Sequence, residues 1–288
     1  MASYTWTLSD NLRKKAELEL GETPERREEA LANLRRRMEE KKSIVFNTDS
    51  QFLIRFLRAK KFDEERAYKT IVKYYELHVK HPEFFEKYHP TRIKHVLDDG
   101  FPFVLDSTDE EGRHIVAMRP GNWDPRNYPV SDIALALFMV IDQLVEDEAA
   151  QINGVIMLFD LENVTISQIA TLTPSVARKL TSIFQNCVPV RLQGVHFVNE
   201  PLLFDGAFTI LKPFMQEKIR KRVRLHGQNL EGLHEFIPPS ILPDTFGGYL
   251  TNYDTLPWRQ AFLAKDLQWQ PAACGDEKLA IACFIHAL

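Results

Sequence analysis

Cysteine is scarce. The three in 288 residues, Cys187, Cys274 and Cys283, are scattered and odd in number, and no CxxC pair supplies zinc-ligand spacing. That argues against a disulfide framework and for a reducing, cytosolic compartment. Long apolar runs are also missing. The longest, Ile133 to Ile141, has nine residues, about half of what a membrane-crossing helix needs. The N-terminus lacks a basic stretch leading into an apolar one, so no signal peptide is expected. Excess charge is absent too: a net charge of −4 excludes a molecule built as a whole to grip nucleic acid. Catalytic signatures are wanting, with no GxSxG, GxGxxG, HExxH or phosphate-binding GxxxxGKS/T. His78 and His81 sit three apart without neighbouring donors and read as helix surface. Asp142 and Glu146 read as a polar helix end more readily than as an acid–base pair, and Cys187 reads as core. No catalytic residue, metal site or cofactor is expected.

What is present is ordinary globular material, 44% hydrophobic and 26% charged, enough to bury a large core. The first part is helical throughout. Residues 9–42 read as helix, dense in Arg, Glu and Lys, with Ala30, Leu31, Leu34 and Met38 as a narrow seam. Thr48 to Gln51 signals a helix start before the stripe Phe52, Leu53, Phe56 and Leu57, with Arg55, Arg58, Lys60 and Lys61 beside it. Asp63 can cap a helix from Glu64 to Val79 that turns Ala67, Ile71, Tyr74 and Tyr75 inward.

After Pro90 the grammar changes. Phe101–Leu105 and Ile115–Met118 are strand-like and joined by an acidic turn containing Gly112. A helix opens at Ser131-Asp132. Gly154–Asp160 is an unbroken apolar run suited to a strand buried on both faces. Helices follow near 166–170 and 174–185, then a strand at Leu192–Val198 and a short edge strand near Arg222–His226. Strand and helix alternate, so the fold class expected is α/β: a small all-helical N-terminal domain (1–89), an α/β domain with a mainly parallel sheet (90–255) and a tail (256–288). The tail ends in an apolar stretch, Leu279–Leu288, suited to a short docking helix. The helix at 133–141 is apolar all round and must be covered on both sides, by the sheet and by a second apolar partner.

The stretch Asn199–Arg224 is the strongest functional candidate. Asn199 can cap a helix start, and Pro201 fits a first turn. Leu203, Ala207, Ile210, Leu211 and Phe214 recur at helical spacing, and Pro213 should end the helix near Leu211. Lys218, Arg220, Lys221, Arg222 and Arg224 then crowd into seven positions. Two readings stand: an amphipathic helix packed on a core with a solvated charged end, or a greasy lid over a cavity, hinged beside a patch that meets anionic lipid.

Seven stretches taken together resemble the CRAL-TRIO lipid-binding family over about Pro24 to Asp254: residues 49–63, NWDP at 122–125, QINGVIMLFD at 151–160, LTPSVARKL at 172–180, VHFVNEP at 195–201, residues 211–223 and ILPDTFGG at 241–248. The resemblance implies an apolar pocket, a movable helical gate matching Pro201 to Leu211, and a carrier rather than a catalyst. The pocket is expected between Phe138, Ile141, Asp142 and Val145 of the apolar helix, Ile156, Leu158 and Phe159 of the buried strand, and Ile183. Val195 and Phe197 of the next strand and Phe204, Ala207, Phe208 and Leu211 of the gate complete it. A family cluster that binds phosphoinositide head groups maps onto Arg191, Gln193, Lys218 and Arg222, with Lys221 alongside; Gln193 departs from the basic pattern. An acidic residue that faces the ligand in a retinoid-binding member matches Asp142. Two pocket serines of a tocopherol-binding member match Leu137 and Ile141, so that hydroxyl anchor is missing. The partners implied are a hydrophobic lipid or isoprenoid (a retinoid, tocopherol or relative) and a phosphoinositide-containing membrane surface, endosomal or other, with no nucleic acid. The alternative is a phosphoinositide-binding trafficking adaptor whose cavity is structural.

Overall fold

The computed structural model describes residues 6–80, 89–202 and 204–265. His81, Leu203, Cys274, Cys283 and the apolar tail lie outside them. Four helices open the chain: α1 (Asp10–Leu20), α2 (Pro24–Glu40), α3 (Ser50–Ala59) and α4 (Glu64–Lys80). The single helix expected over 9–42 is therefore two. Gly21 adopts φ 70°, its N–H closes α1 on Glu17 O, and the Thr23 hydroxyl accepts from Arg26 N to start α2. The apolar stripe of α3 is buried as its spacing predicts. So, against expectation, are Arg55 and Arg58, at 5% and 0% exposure.

Among the described residues the further helices are α5 (Lys94–Asp98), α6 (Val130–Leu144), α7 (Glu148–Asn153), α8 (Ile166–Ala170), α9 (Pro174–Asn186), α10 (Phe204–Leu211), α11 (Glu217–Arg220), α12 (Leu230–His234) and α13 (Leu256–Ala264). They surround a five-stranded sheet of β1 (Phe103–Val104), β2 (His114–Met118), β3 (Val155–Asp160), β4 (Leu192–Val198) and β5 (Val223–Leu225). The strands lie side by side in chain order. β1 runs antiparallel to β2, and every later pairing is parallel. The fold is thus α/β with a mainly parallel sheet and a helical N-terminal region.

Alternation along the strands divides the core in two. Val155, Met157, Val195 and Phe197 join the helices α3, α4, α6, α9 and α10 in one large cluster. Ile156, Leu158 and Val198 face the other way, onto Leu233, Ile237 and Phe246. The apolar helix α6 is buried at Ile133 and continuously from Leu135 to Asp142, with residues 90–98 packed along it, Tyr74 of α4 stacked on Phe138 and Arg55 of α3 paired with Asp142. His78 also departs from the surface reading. Its ring lies 4.7 Å from that of Tyr74 and 6.3 Å from that of Phe138, and burial lowers its pKa to about 4. No helix among the described residues is long and apolar enough to cross a membrane.

An ionic knot ties the helical region to the α/β layer. Arg58 Nε and Nη2 donate to the two carboxylate oxygens of Glu22 at 2.8 Å each. Its Nη1 donates to Glu148 at 2.9 Å and Gln151 at 2.8 Å, both on α7. Arg27 adds a bond to Glu22 at 3.1 Å and lies 4.1 Å from the Trp6 ring. Every donor direction of the planar guanidinium toward the knot is used, which suits arginine and no other cation.

Candidate functional site

The helix expected after β4 begins later than its sequence suggests. Asn199 does not cap a helix. It takes a left-handed φ of 55° and its Nδ2 donates to Asp160 Oδ1 at 3.0 Å. The helix α10 starts at Phe204 and stops at Leu211, where Lys212–Phe214 tightens into a 3-10 turn around Pro213. Leu202, just before it, is 98% exposed. Phe204, Ala207 and Phe208, at i, i+3 and i+4, face the sheet, and Leu211 is half-buried.

Under α10 lies a ladder of aromatic rings. Phe159 and Phe197 are register partners on β3 and β4, with centroids 4.8 Å apart. Phe197 meets Phe204 at 5.0 Å, and Phe204 meets Phe208 at 6.0 Å. Offset contacts of this kind add about 0.5–1.5 kcal/mol per pair to the burial itself. Phe138, Ile141, Val145, Ile183, Val195, Phe197, Phe204 and Ala207 share this core, with Phe159 and Phe208 packed against it. Ile156 and Leu158 do not. They belong to the opposite face of the sheet, because a strand sends alternate side chains to opposite sides. Met157 is the residue that joins Phe159 beneath the helices.

An apolar cavity of about 140 Å³ lies between α4, α6 and α9, lined by Leu77, Ala134, Leu135, Phe138, Leu180 and Ile183 among others. That is below the roughly 300 Å³ at which ligand sites usually begin. None of its lining residues belongs to α10 or to the sheet. A wider surface cleft of about 560 Å³ lies between His95, Asp98, Asp99, Tyr128 and Asp132. Its carboxylates are occupied by His95, Tyr128, Lys94 and Arg259.

Asp142 does not face the sheet-side core. Its carboxylate lies 3.5 Å from Arg55 Nη1 and 3.3 Å from Tyr74 OH, all buried. Burial and then the adjacent carboxylate push the Tyr74 phenol well above its usual range. Asp142→Ala is expected to cost about 2–3 kcal/mol in denaturant unfolding, because the Arg55 charge is left in the core. A variant of native stability that binds cargo more weakly would instead make Asp142 a ligand contact.

The basic residues converge unevenly. Arg191, at 9% exposure, donates to Glu19 on α1 at 2.7 Å and to the Ile152 carbonyl. Arg222 donates to the Leu192 carbonyl. Gln193 donates to Asn153 O at 3.2 Å, and Lys221 pairs with Glu217 at 2.7 Å in solvent. Lys218 is exposed and stands in the field of Arg222, Lys61, Arg66 and Arg191. The residue that sequence reasoning missed is Lys60, on the turn after α3. Burial first, then Arg66, Lys218 and Lys73, lower its ammonium to about 8. Lys60 and Lys218 are 158 positions apart in the chain, so no local pattern could have paired them. Cations drawn together from α3, α4 and α11 stand where an anion lowers the energy of all of them.

Residues 98–248 match the family model described as CRAL/TRIO domain, and residues 23–94 match one described as Pinta-like, UBA domain. The chain is 40% identical to the human (Homo sapiens) protein named alpha-tocopherol transfer protein-like over 266 residues, covering 91% of this chain and 77% of that one. It is 38% identical to human Clavesin-2 over 259 residues, covering 89% and 79%. The crystal structure of Sfh5 superposes over 98% of this chain with a TM-score of 0.48 at 12% identity.

Proposed function

The chain belongs to the CRAL/TRIO domain family, and from that premise we propose that it carries a hydrophobic small molecule, a retinoid, tocopherol or related lipid, and exchanges it at phosphoinositide-containing membranes. In this reading residues 1–89 are the helical N-terminal domain, 90–255 the lipid-binding domain and 256–288 a tail. The protein acts as a carrier rather than a catalyst, in the cytoplasm, with peripheral contact to endosomal or other phosphoinositide-rich membranes.

The observation that carries the reading is the juxtaposition within 199–224. An apolar helix lies on an apolar sheet face, and directly after it a cation enters a cluster fed by two other helices. Cargo belongs between α10 and the floor made by Phe138, Ile141, Val145, Met157, Phe159, Ile183, Val195 and Phe197. An anionic head group belongs at Lys60, Lys218 and Arg222, with Arg191 behind them. Burying a cargo of about 20–30 carbons yields up to roughly 15–25 kcal/mol at about 0.8 kcal/mol per CH₂. Escape into water is then very slow, and delivery calls for a membrane.

Mass spectrometry of lipid extracted from the purified chain tests this directly. One apolar molecule per chain is expected. A chain that purifies empty, and stays empty after incubation with retinoid and tocopherol while still binding phosphoinositide vesicles, would sink the carrier reading in favour of an adaptor.

A further inference from the structure

His196 on β4 and His226, one residue past β5, meet on the face of the sheet away from α10. Their ring planes are 8° apart, their centroids 5.2 Å apart, and His196 Nδ1 lies 2.9 Å from His226 Nε2. So short an N···N distance between rings so far apart places them edge to edge, in line for one N–H···N hydrogen bond. That bond requires one nitrogen with a proton and one without. The site is shaped for the rings. A Cβ on Gly194 would stand 2.7 Å from His196 Nε2, and the Phe236 ring lies 5.1 Å and 5.9 Å from the two imidazoles.

The backbone beside this pair holds the fixed end of the gate. His226 N–H donates to Phe197 O at 3.0 Å and to Glu200 Oε1 at 3.1 Å. Gly227 O accepts from Asn199 N–H at 2.7 Å. Residues 199 and 200 are the connection from β4 to α10, so the turn after β5 grips the hinge.

We propose that the His196–His226 pair is an acid-released catch on the gate: protonation of both rings breaks the N–H···N bond, loosens residues 226–227 and frees the hinge at 199–200. The inference rests on the reading of α10 as a movable gate. The charged groups facing the pair are Arg224 from β5 and Arg113 from the approach to β2 at His196, and Arg224 with Glu235 from the end of α12 at His226. Glu200 binds only the main chain of His226. Burial, then His226, Arg224 and Arg113, hold His196 down to about 4, and burial with Arg224 lowers His226 as well.

The direction follows from linkage. The closed form favours neutral rings, and an opened, wetted His196 returns toward 6.5, so falling pH favours opening. From His196 alone the opening equilibrium rises about 3-fold at pH 6 and about 20-fold at pH 5 relative to pH 7. An anionic membrane at roughly −30 to −50 mV raises the local proton concentration about threefold to sevenfold. The surface that attracts the basic cluster therefore also pushes the catch toward release.

Hydrogen exchange of the full chain, without cargo or vesicles, tests the catch between pH 7.5 and 5.0 after correction for intrinsic rates. Protection in α10 should fall about 30-fold while β3 keeps its own, and His196→Gln should flatten that dependence. The proposal is overturned if α10 protection is independent of pH, if α10 and β3 loosen together, or if a folded His196→Gln chain keeps the full pH response. Should that variant fail to fold, the comparison of α10 with β3 in the native chain decides. Because no lipid enters the measurement, a negative result removes the catch and leaves the carrier reading standing, whereas an empty purified chain does the reverse.

Discussion

Transfer of cargo to phosphoinositide vesicles is expected to slow by on the order of 100-fold when Lys218 and Arg222 are both replaced by Glu, with cargo affinity in solution almost unchanged. The size follows from two charge reversals. Each cation near an anionic surface contributes about 1 kcal/mol, and each reversal costs roughly twice that. A total near 4 kcal/mol exceeds two decades in binding. In the carrier reading docking matters because lifting α10 is costly in water. Exposing a few hundred Å² of the α10 face costs on the order of 10 kcal/mol at about 25 cal/mol per Å². At a bilayer that face would enter the acyl region, and most of the cost would disappear. High salt should slow the native chain in the same direction, since exposed charges are screened within about 10 Å at 0.1 M. Lys221→Glu is the control. Lys221 already pairs with Glu217 in solvent, so its reversal should slow transfer several times less. A double variant that loads normally and transfers at the native rate in low salt would remove the basic cluster from the mechanism.

Arg58→Leu is expected to lower stability by about 3–5 kcal/mol, enough to shift the folded population by two to three decades. The guanidinium is fully buried and joins Glu22, between α1 and α2, to Glu148 and Gln151 on α7. Removing it leaves two carboxylates buried without their shared cation. Lysine should recover only part of the loss, because a single ammonium cannot reproduce the bidentate pairing. Denaturant titration measures the change. A loss below about 1 kcal/mol would mean that the knot is replaceable by packing alone. Double replacement of Arg58 and Glu22 by apolar residues should cost less than Arg58→Leu, since it removes one of the stranded charges.

The same knot marks where the sequence stops being legible. Local pattern locates β4, β5, α8 and the start of α9 at Pro174, because each is set by its own alternation, cap or proline. Arg55 and Arg58 read as neighbours of an apolar stripe. Their burial depends on Asp142, Glu22 and Glu148, which lie 87, 36 and 90 positions away. Lys60 fails for the same reason: the cations that lower its pKa are brought to it by α4 and α11. Ile156 and Leu158 illustrate a different limit. An unbroken apolar strand announces that both faces are covered, but says nothing of which face looks toward the gate. The helix α10 is half legible. Its end follows from Pro213, while its beginning is displaced from Asn199 because that side chain is committed to Asp160.

The order of the strands has a consequence for how anything enters this molecule. In sheets whose strand order reverses, helices leave to opposite faces at the reversal and a crevice stays open there for ligands. Here β1 to β5 follow one another without reversal, and the connecting helices α6, α9 and α10 pack on a single face. In a singly wound layer of this kind the strand order itself opens no such crevice. A molecule held between the sheet and these helices would need one of them to lift before it could come or go. Of those three, α10 is the shortest, at 8 residues against 15 and 13, and so has the least to break when it moves.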